Sequence, residues 1–525
     1  MNICVVKMRP SVSRSIVSAA ASIKRAPGDT QNKCQEVKPF LQIPGPVALP
    51  LIGSVWKYIL PGPNRYDPER LHEVACQKYD EFGPLVRETL PDGSGLLSVF
   101  DPDDVQSFLL QTRIRPDRRS HLALQKYRLD RPHMYSSGGL LPSNGEDWLR
   151  LRRPSQAVFG RPDVVASRLP QVDQIVRDFI SLLRALRTAD LQVPDLLHRI
   201  KMMNMEVMLM VLFGERFGCV TERPSAQCSA LMEAGGRSTR AIFKTDNGPL
   251  RLYRYVSTPL YRQLVDSQDY IYSVAKQKYE EAKSRKGSEE APSGGGTTVL
   301  EGLMRAQQLG EREVMGLLCD ALMAGVDTTS YALAFALYHL ACNSGPQQRL
   351  ADETHALMAT SHGRVTEDVL RAAKYTRAAL KESMRLIPIS IGIGRINYSP
   401  ILLRGYHIPA GTTIVSMNQH IGSNPLYFRD PEAFRPERFL EDSAELHHSH
   451  ALLPFGQGSR MCIARSIARQ AVHTTLLHMV NNFTLKWHGP KLGCKVRLIN
   501  EPDAPLSLSF TDREVKASVS PQPAG

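Results

Sequence analysis

The stretch LLPFGQGSRMCIARSIARQ (452–470) places one cysteine, Cys462, between a glycine-bearing loop and an apolar-periodic segment. Gly456 and Gly458 permit tight backbone before it, and the periodicity after it predicts a helix starting at or just past the sulfur. A thiolate there is favoured by the positive end of the helix dipole and by free N–H groups, and Arg460 adds positive charge. A low-pKa sulfur of this kind suits metal ligation. A nucleophile is the other chemical option, but it wants a nearby histidine, and His473 and His478 stand far along the helix.

Three further sets of residues could do chemistry. The segment EREVMGLLCDALMAGVDTTSYALAFALYHLA (311–341) is strongly apolar, yet its centre holds Asp327 and Thr328. Such a carboxylate is costly unless paired or used. It predicts either a packing glycine with threonines bonding back to carbonyls, or a bent, widened groove that passes water and protons. ALKESMRL sets Glu382 and Arg385 three apart on one helical face among apolar neighbours, with Arg438 of FRPERF as a candidate extra partner. GEDWLRLRRP sets Trp148 and Arg152 four apart, an indole N–H and a guanidinium that together suit a ligand carboxylate. An amphipathic helix with a core tryptophan and solvated arginines explains that pair equally well.

The elements that must hold these residues are mostly helical. YDPERLHEVACQKYDEFG (66–83) predicts a helix with Asp67 as N-cap, Pro68 at its first position and Gly83 at its end. PLVRETLPDGSGLLSVFD (84–101) predicts a β-hairpin around Asp-Gly, and EPDAPLSLSF (501–510) a second hairpin. Helical patterns run with interruptions from residue 101 to about residue 284, followed by the polar, glycine-rich surface loop 284–300, which lacks the Gly-Lys-Ser/Thr of a phosphate cradle.

The chain has 525 residues and a formal net charge of +13. Its basic residues are scattered, and nothing resembles a basic tail or an aromatic-interleaved RNA motif, so a nucleic-acid partner is not expected. Nine cysteines occur without a CxxC pair, which leaves no zinc ribbon or thioredoxin-type site. Eight of them (4, 34, 76, 219, 228, 319, 342 and 494) read as ordinary buried thiols in a reducing compartment. The first 28 residues are basic, serine-rich and free of acids, the composition of a mitochondrial transit peptide. A secretory signal built on IVSAAASI is the competing reading. No run reaches the ~20 apolar residues of a membrane span.

Phe455, Gly458, Arg460 and Cys462, together with AGVDTT, KESMR, PERF and WLRLR in this order, resemble the haem-thiolate monooxygenases, the cytochrome P-450 family, over roughly residues 43 to 510. The resemblance implies a mainly α fold with small β-sheets. Haem b would lie between the long central helix and the helix after the cysteine loop, with O2 as co-substrate. It implies Cys462 as axial ligand, with Trp148, Arg152, Arg395, Phe455 and Arg460 around the cofactor and its propionates. Asp327 and Thr328 match the acid and alcohol that meter protons, and Glu382, Arg385 and Arg438 a buried structural network. Family members usually carry glycine two residues after the cysteine, where this chain has Ala464.

Four segments, 118–148, 245–255, 375–395 and 462–470, are similar to an arthropod mitochondrial branch that hydroxylates ecdysteroid precursors at carbon 22. That branch also carries alanine at the position of Ala464. Arg377 and Lys381 match positions at which mitochondrial members dock an acidic ferredoxin, itself served by a reductase, and Arg465 and Arg469 could extend the patch. Relatives often have a second arginine where this chain has Ser466. The expected organisation is an import segment at 1–35, a proline-rich lead-in at 36–55, the monooxygenase domain at 56–512 and a tail at 513–525. The expected setting is the matrix side of the inner mitochondrial membrane, peripherally attached. Hydroxylation at carbon 2 or 20, oxidation of xenobiotics, and a non-catalytic haem sensor are the alternatives. The substrate walls are expected near 113–140, 236–247, Ile389 to Ile393 and 501–510.

Overall fold

The structure, a computed structural model, describes residues 37–513 apart from 63, 248–250, 286–296, 444, 446 and 447. The import segment expected at 1–35, Cys4, Cys34, most of the glycine-rich loop and the tail beyond 513 lie outside the described residues. Nine helices position the site: α1 (Leu71–Phe82), α2 (Gly145–Phe159), α3 (Leu169–Leu186), α4 (Leu196–Phe213), α5 (Ala226–Asp246), α6 (Pro259–Arg285), α7 (Glu311–Cys342), α8 (Lys374–Leu386) and α9 (Arg465–Asn482). Helix α7 is central and packs against α4, α5, α6, α8 and α9. Its first turn carries Glu311 and Glu313, which suit the positive end of the helix.

The strands that matter here are β1 (Leu85–Thr89), β2 (Gly95–Val99), β3 (Gly394–Ile396), β4 (Thr413–Ser416), β5 (Phe483–Trp487), β6 (Cys494–Arg497), β7 (Ile499–Pro502) and β8 (Leu508–Asp512). The first four form one sheet in the order β1-β2-β4-β3, with β1 antiparallel to β2 as the Asp-Gly turn predicts. A second core of aliphatic and aromatic residues lies on this sheet and the short strands near it. No helix among the described residues is long and apolar enough to cross a membrane.

Four readings are changed or decided by the structure. Helix α1 begins at Leu71 rather than at Pro68, because Asp67 turns its carboxylate to the N–H of Glu69 and closes a local turn instead of capping the helix. The segment 501–510 is not a hairpin: β7 pairs with β6 and β8 pairs with β5, so its two halves belong to different sheets. Helix α7 is α-helical from end to end, which favours the packing glycine with back-bonded threonines over the widened groove as the reading of its centre. Thr328, Thr329 and Ser330 each donate to the carbonyl four residues back, at 2.9, 2.8 and 2.7 Å, which satisfies their hydroxyls inside the helix. A Cβ on Gly325 would sit 2.1 Å from Met208 Cε, so this glycine lets α4 approach closely.

The fourth change concerns the cysteines. Cys219 and Cys228 form a disulfide rather than two free thiols. The buried Glu206 carboxylate gathers the N–H groups of Phe217, Gly218 and Cys219, folding the α4–α5 loop back on itself. Ser225 then caps α5 at the N–H of Cys228, which brings the two sulfurs together. Cys319 and Cys494 are buried as expected, while Cys76 and Cys342 are exposed.

Candidate functional site

The loop before α9 is shaped by two glycines in the left-handed region, Gly456 at φ 75° and Gly458 at φ 74°. The Cys462 N–H donates to Phe455 O at 2.8 Å, and Met461 N–H to Gly458 O at 3.0 Å. These bonds hold the sulfur at the end of a tight turn, three residues before α9 begins. Ala464 lies at φ −95°, where glycine has no advantage, so its methyl group is accommodated without backbone strain. The thiol departs from the expected low pKa. Burial raises it and outweighs the Ala464 N–H and the cations Arg152, Arg465 and Arg469, which all act the other way. A metal that displaces the thiol proton would reverse that balance.

Four guanidiniums converge beside this loop. Three were expected: Arg152, Arg395 and Arg460. The fourth, Arg118, comes from the irregular segment before residue 122, which carries no periodic signal that could have exposed it. Burial and then repulsion from Arg118 and Arg395 push Arg460 down to about 8. Burial and Arg118 push Arg395 down to about 10. Arg152 also falls to about 10, mainly through burial, while Cys462 offsets part of the fall. Burial lowers Arg118 itself.

Asp117, which partly offsets Arg460, is already engaged by the Gly145 N–H at 2.9 Å and by the Tyr398 hydroxyl. Arg460 Nε and Nη1 and Arg118 Nε are buried with no hydrogen-bond acceptor. A cluster of like charges with orphaned donors is what a dianionic ligand would satisfy. The residues therefore fit a macrocycle bearing two carboxylates.

The expected pairing of Trp148 with Arg152 is not what the structure builds. Arg460 lies 4.7 Å above the ring of the buried Trp148. Arg152 turns to the loop backbone, donating to Met461 O at 2.7 Å and to Gln156 at 3.0 Å, because α2 passes close under the cysteine turn. Arg395 reaches Gln457 O at 3.2 Å and thus also braces the loop.

Along α7, Ala321, Ala324, Gly325 and Thr328 are only half-buried, although nearly every residue around them is buried. Their spacing of three, four and seven puts them on one helix face. Thr328 is thus presented on that strip. Asp327, one residue earlier, points elsewhere and pairs with Lys201 of α4 at 2.8 Å. Nothing in the sequence links positions 201 and 327.

Glu382, Arg385 and Arg438 come together with fully buried side chains. Arg385 makes two bonds of 2.8 Å to Glu382, Arg438 Nε adds one at 3.1 Å, and the Arg435 N–H a fourth at 2.9 Å. The surface ion pair that a bare i,i+3 spacing suggests is thus part of the interior.

Arg377, Lys381, Arg465 and Arg469 share one face next to the cysteine loop. Partial desolvation of its ammonium lowers Lys381, followed by repulsion from Arg469 and Arg377, and Arg469 is lowered first by burial and then by Arg465. Arg377 is tied to the carbonyls of Leu370 and Arg371 at 2.9 and 2.8 Å, whereas Lys381 is exposed. Arg469 stacks 5.0 Å from the Phe455 ring, linking this basic face to the loop.

The family model described as Cytochrome P450 matches residues 43–496. The chain is 38% identical over 487 residues to "Cytochrome P450 302a1, mitochondrial" of Drosophila melanogaster, spanning 92% of this chain and 97% of that one. It is 28% identical over 486 residues to "Ecdysone 20-monooxygenase" of Drosophila melanogaster, spanning 90% and 88%. It is also 28% identical over 477 residues to "Cytochrome P450 12b1, mitochondrial" of Drosophila acanthoptera, spanning 88% of each.

Proposed function

Because the chain belongs to the cytochrome P450 family of haem-iron monooxygenases, we propose that it is a mitochondrial steroid hydroxylase fed by a ferredoxin. Its proposed substrate is an ecdysteroid precursor and its proposed position of attack is carbon 22. The observation that carries the site reading is the cluster of buried, partly orphaned guanidiniums around the Cys462 turn. For the substrate, support comes from the relatives named for mitochondria and for ecdysone, together with the resemblance of four segments to the ecdysteroid branch.

In this reading Cys462 would supply the sulfur ligand to the haem iron, and Arg118, Arg395, Arg460 and Trp148 would hold the propionates. Haem bound there would supply oxygen activation, by which one atom of O2 enters a C–H bond and the other, with two electrons from the ferredoxin and two protons, leaves as water. The chain's own residues do the rest. The half-buried strip of α7 forms one wall, small enough at Ala324 to let a flat apolar substrate approach. Thr328 frees its hydroxyl from the Ala324 carbonyl to hand on a proton, and Asp327 replenishes it. Ile389 and the residues near it shape the apolar wall opposite.

Two expected outcomes check parts of this reading. Arg460→Leu removes a cation that is unfavourable in the haem-free protein and useful in the loaded one. Thermal denaturation of the haem-free form should show no loss of stability, while haem transfer to an acceptor protein should speed up roughly ten- to a hundredfold, as one lost charge-assisted hydrogen bond implies. Slower transfer would contradict the propionate role. Lys381→Glu should raise the ferredoxin concentration needed for half-maximal turnover by about tenfold, with a weaker dependence on ionic strength. An unchanged salt dependence would remove Lys381 from the docking face. The decisive experiment for the substrate is turnover with purified ferredoxin and reductase against ecdysteroid precursors. Mass spectrometry of the product should place the new hydroxyl at carbon 22; a product at carbon 2 or 20, or oxidation of unrelated drugs alone, would replace the proposed reaction.

A further inference from the structure

Asp327 is held from a side that the proton-metering reading does not use. Lys201 Nζ lies 2.8 Å from Asp327 Oδ1 and 2.9 Å from the hydroxyl of Tyr331, one turn further along α7. The Tyr331 hydroxyl donates to Glu501 Oε2 at 3.1 Å. Glu501 belongs to β7 and is steadied on its other oxygen by Arg497 at 3.3 Å and Lys495 at 3.8 Å. The result is an unbroken chain of polar atoms, Glu501–Tyr331–Lys201–Asp327, drawn from three elements that are far apart in sequence.

The chain meets water at two members, Glu501 and Lys201, with Tyr331 the most buried of the four. The Asp327 side chain is 12% exposed, while Lys201 and Glu501 are 20% and 17% exposed and so touch water. Tyr331 between them is 4% exposed. Its hydroxyl is held protonated: burial raises its pKa most, the Asp327 and Glu501 carboxylates raise it further, and Arg240 opposes them only weakly. A buried hydroxyl that stays protonated, with an ammonium on one side and a carboxylate on the other, passes a proton only by receiving one as it gives one.

We propose that Lys201, Tyr331 and Glu501 form the proton entry to Asp327, and that β7 thereby connects the substrate wall to proton supply. The proposal rests on Asp327 acting as the proton donor. For each proton Asp327 gives up through Thr328, Lys201 hands one to the Asp327 carboxylate. Glu501, a carboxylate at rest, first takes a proton from water and gives it to the Tyr331 oxygen, as the Tyr331 hydroxyl turns from Glu501 to hand its own proton to the Lys201 amine left neutral by the transfer. One proton enters, one leaves, and no group changes its net charge over the cycle. Asn500, the residue before Glu501, is bonded through its N–H to Ile389 O at 2.9 Å and through its side chain to Pro388 O at 2.7 Å. A substrate that displaces the Ile389 segment therefore moves the strand on which Glu501 sits. Lys201, Tyr331 and Glu501 act through Asp327 and are positioning residues.

The test uses the haem-loaded enzyme and the variants Tyr331→Phe, Glu501→Gln, Lys201→Met and Asp327→Asn, all first checked for an intact carbonyl-complex spectrum. Tyr331→Phe and Glu501→Gln should each lower coupled product formation by about tenfold, below the 10²–10⁴ of a direct proton donor. Peroxide release and the solvent isotope effect should both rise. A purely structural loss would lower turnover without moving the isotope effect, and Lys201→Arg should recover more coupling than Lys201→Met. Independently of turnover, the infrared carboxylate band assigned through Asp327→Asn should shift in Lys201→Met and Tyr331→Phe in the resting ferric protein. Native coupling and isotope effect in either Tyr331→Phe or Glu501→Gln, or an unmoved band, would overturn the proposal. If Asp327→Asn itself couples normally, the proton-donor reading fails first; if only Asp327→Asn uncouples, the relay alone fails.

Discussion

Cys462→Ala should abolish the thiolate-type Soret band of the carbonyl complex and reduce turnover to background, the largest single effect expected in this protein. The loss should be chemical rather than structural. The turn that presents the sulfur is held by backbone bonds, Cys462 N–H to Phe455 O and Arg152 to Met461 O, and an alanine keeps both. Its φ requirements are met by Gly456 and Gly458, which the substitution leaves in place. Secondary structure and expression should therefore match the native chain. Cys319→Ala serves as the control, since Cys319 is a buried thiol on α7 whose burial raises it to about 11 and whose hydrogen-bond donor is Tyr135. Its variant should keep the band. A thiolate spectrum surviving in Cys462→Ala would mean that a different sulfur ligates the iron.

Glu382→Ala should be the most damaging change away from the cofactor face. The carboxylate accepts four hydrogen bonds from Arg385, Arg438 and the Arg435 N–H in a site with no solvent exposure. Its removal leaves two buried guanidiniums short of counter-charge. Arg438 keeps Glu445 at 2.6 Å, and Arg385 keeps the carbonyls of Gly422 and Ala433, so the loss is partial rather than complete. Breaking a buried pair in this way costs about 3–5 kcal/mol. Chemical denaturation should show that loss, together with poor haem loading, because the same network fixes the residues leading into the cysteine loop. Asp368→Ala, which breaks a pair with Arg371 whose partners are 87% and 75% exposed, should cost under about 1 kcal/mol. Equal effects from the two variants would mean that the buried network contributes no more than surface charge does.

The readable parts of this molecule are those whose signal is local. The hairpin of β1 and β2 follows from one Asp-Gly turn between alternating strands, and the positions of Gly456, Gly458 and Cys462 follow from a few adjacent residues. The misread parts are non-local. Whether 501–510 closes on itself or on other strands depends on β5 and β6, which compete for its two halves more strongly than its own weak turn does. Lys201 lacks any signal that would pair it with Asp327, since the contact is made by the crossing of α4 and α7. Arg118 sits in an irregular segment without periodicity, and the disulfide depends on how the Glu206 carboxylate folds one loop. Asp67 shows the limit even of local signals: its side chain has two backbone partners within reach, and the nearer turn won.

The φ of −95° at Ala464 bears on how the protein is assembled. Glycine at this place would add freedom mainly to the unfolded chain, because the folded backbone uses none of it. Alanine thus contributes about 0.4–1 kcal/mol through the entropy that the unfolded loop never had. Before any cofactor arrives, the segment between Met461 and Arg465 is already biased toward its final turn. The chain therefore gives up less ordering entropy when this loop takes its final turn, and that saving belongs to the backbone rather than to any contact of the methyl group.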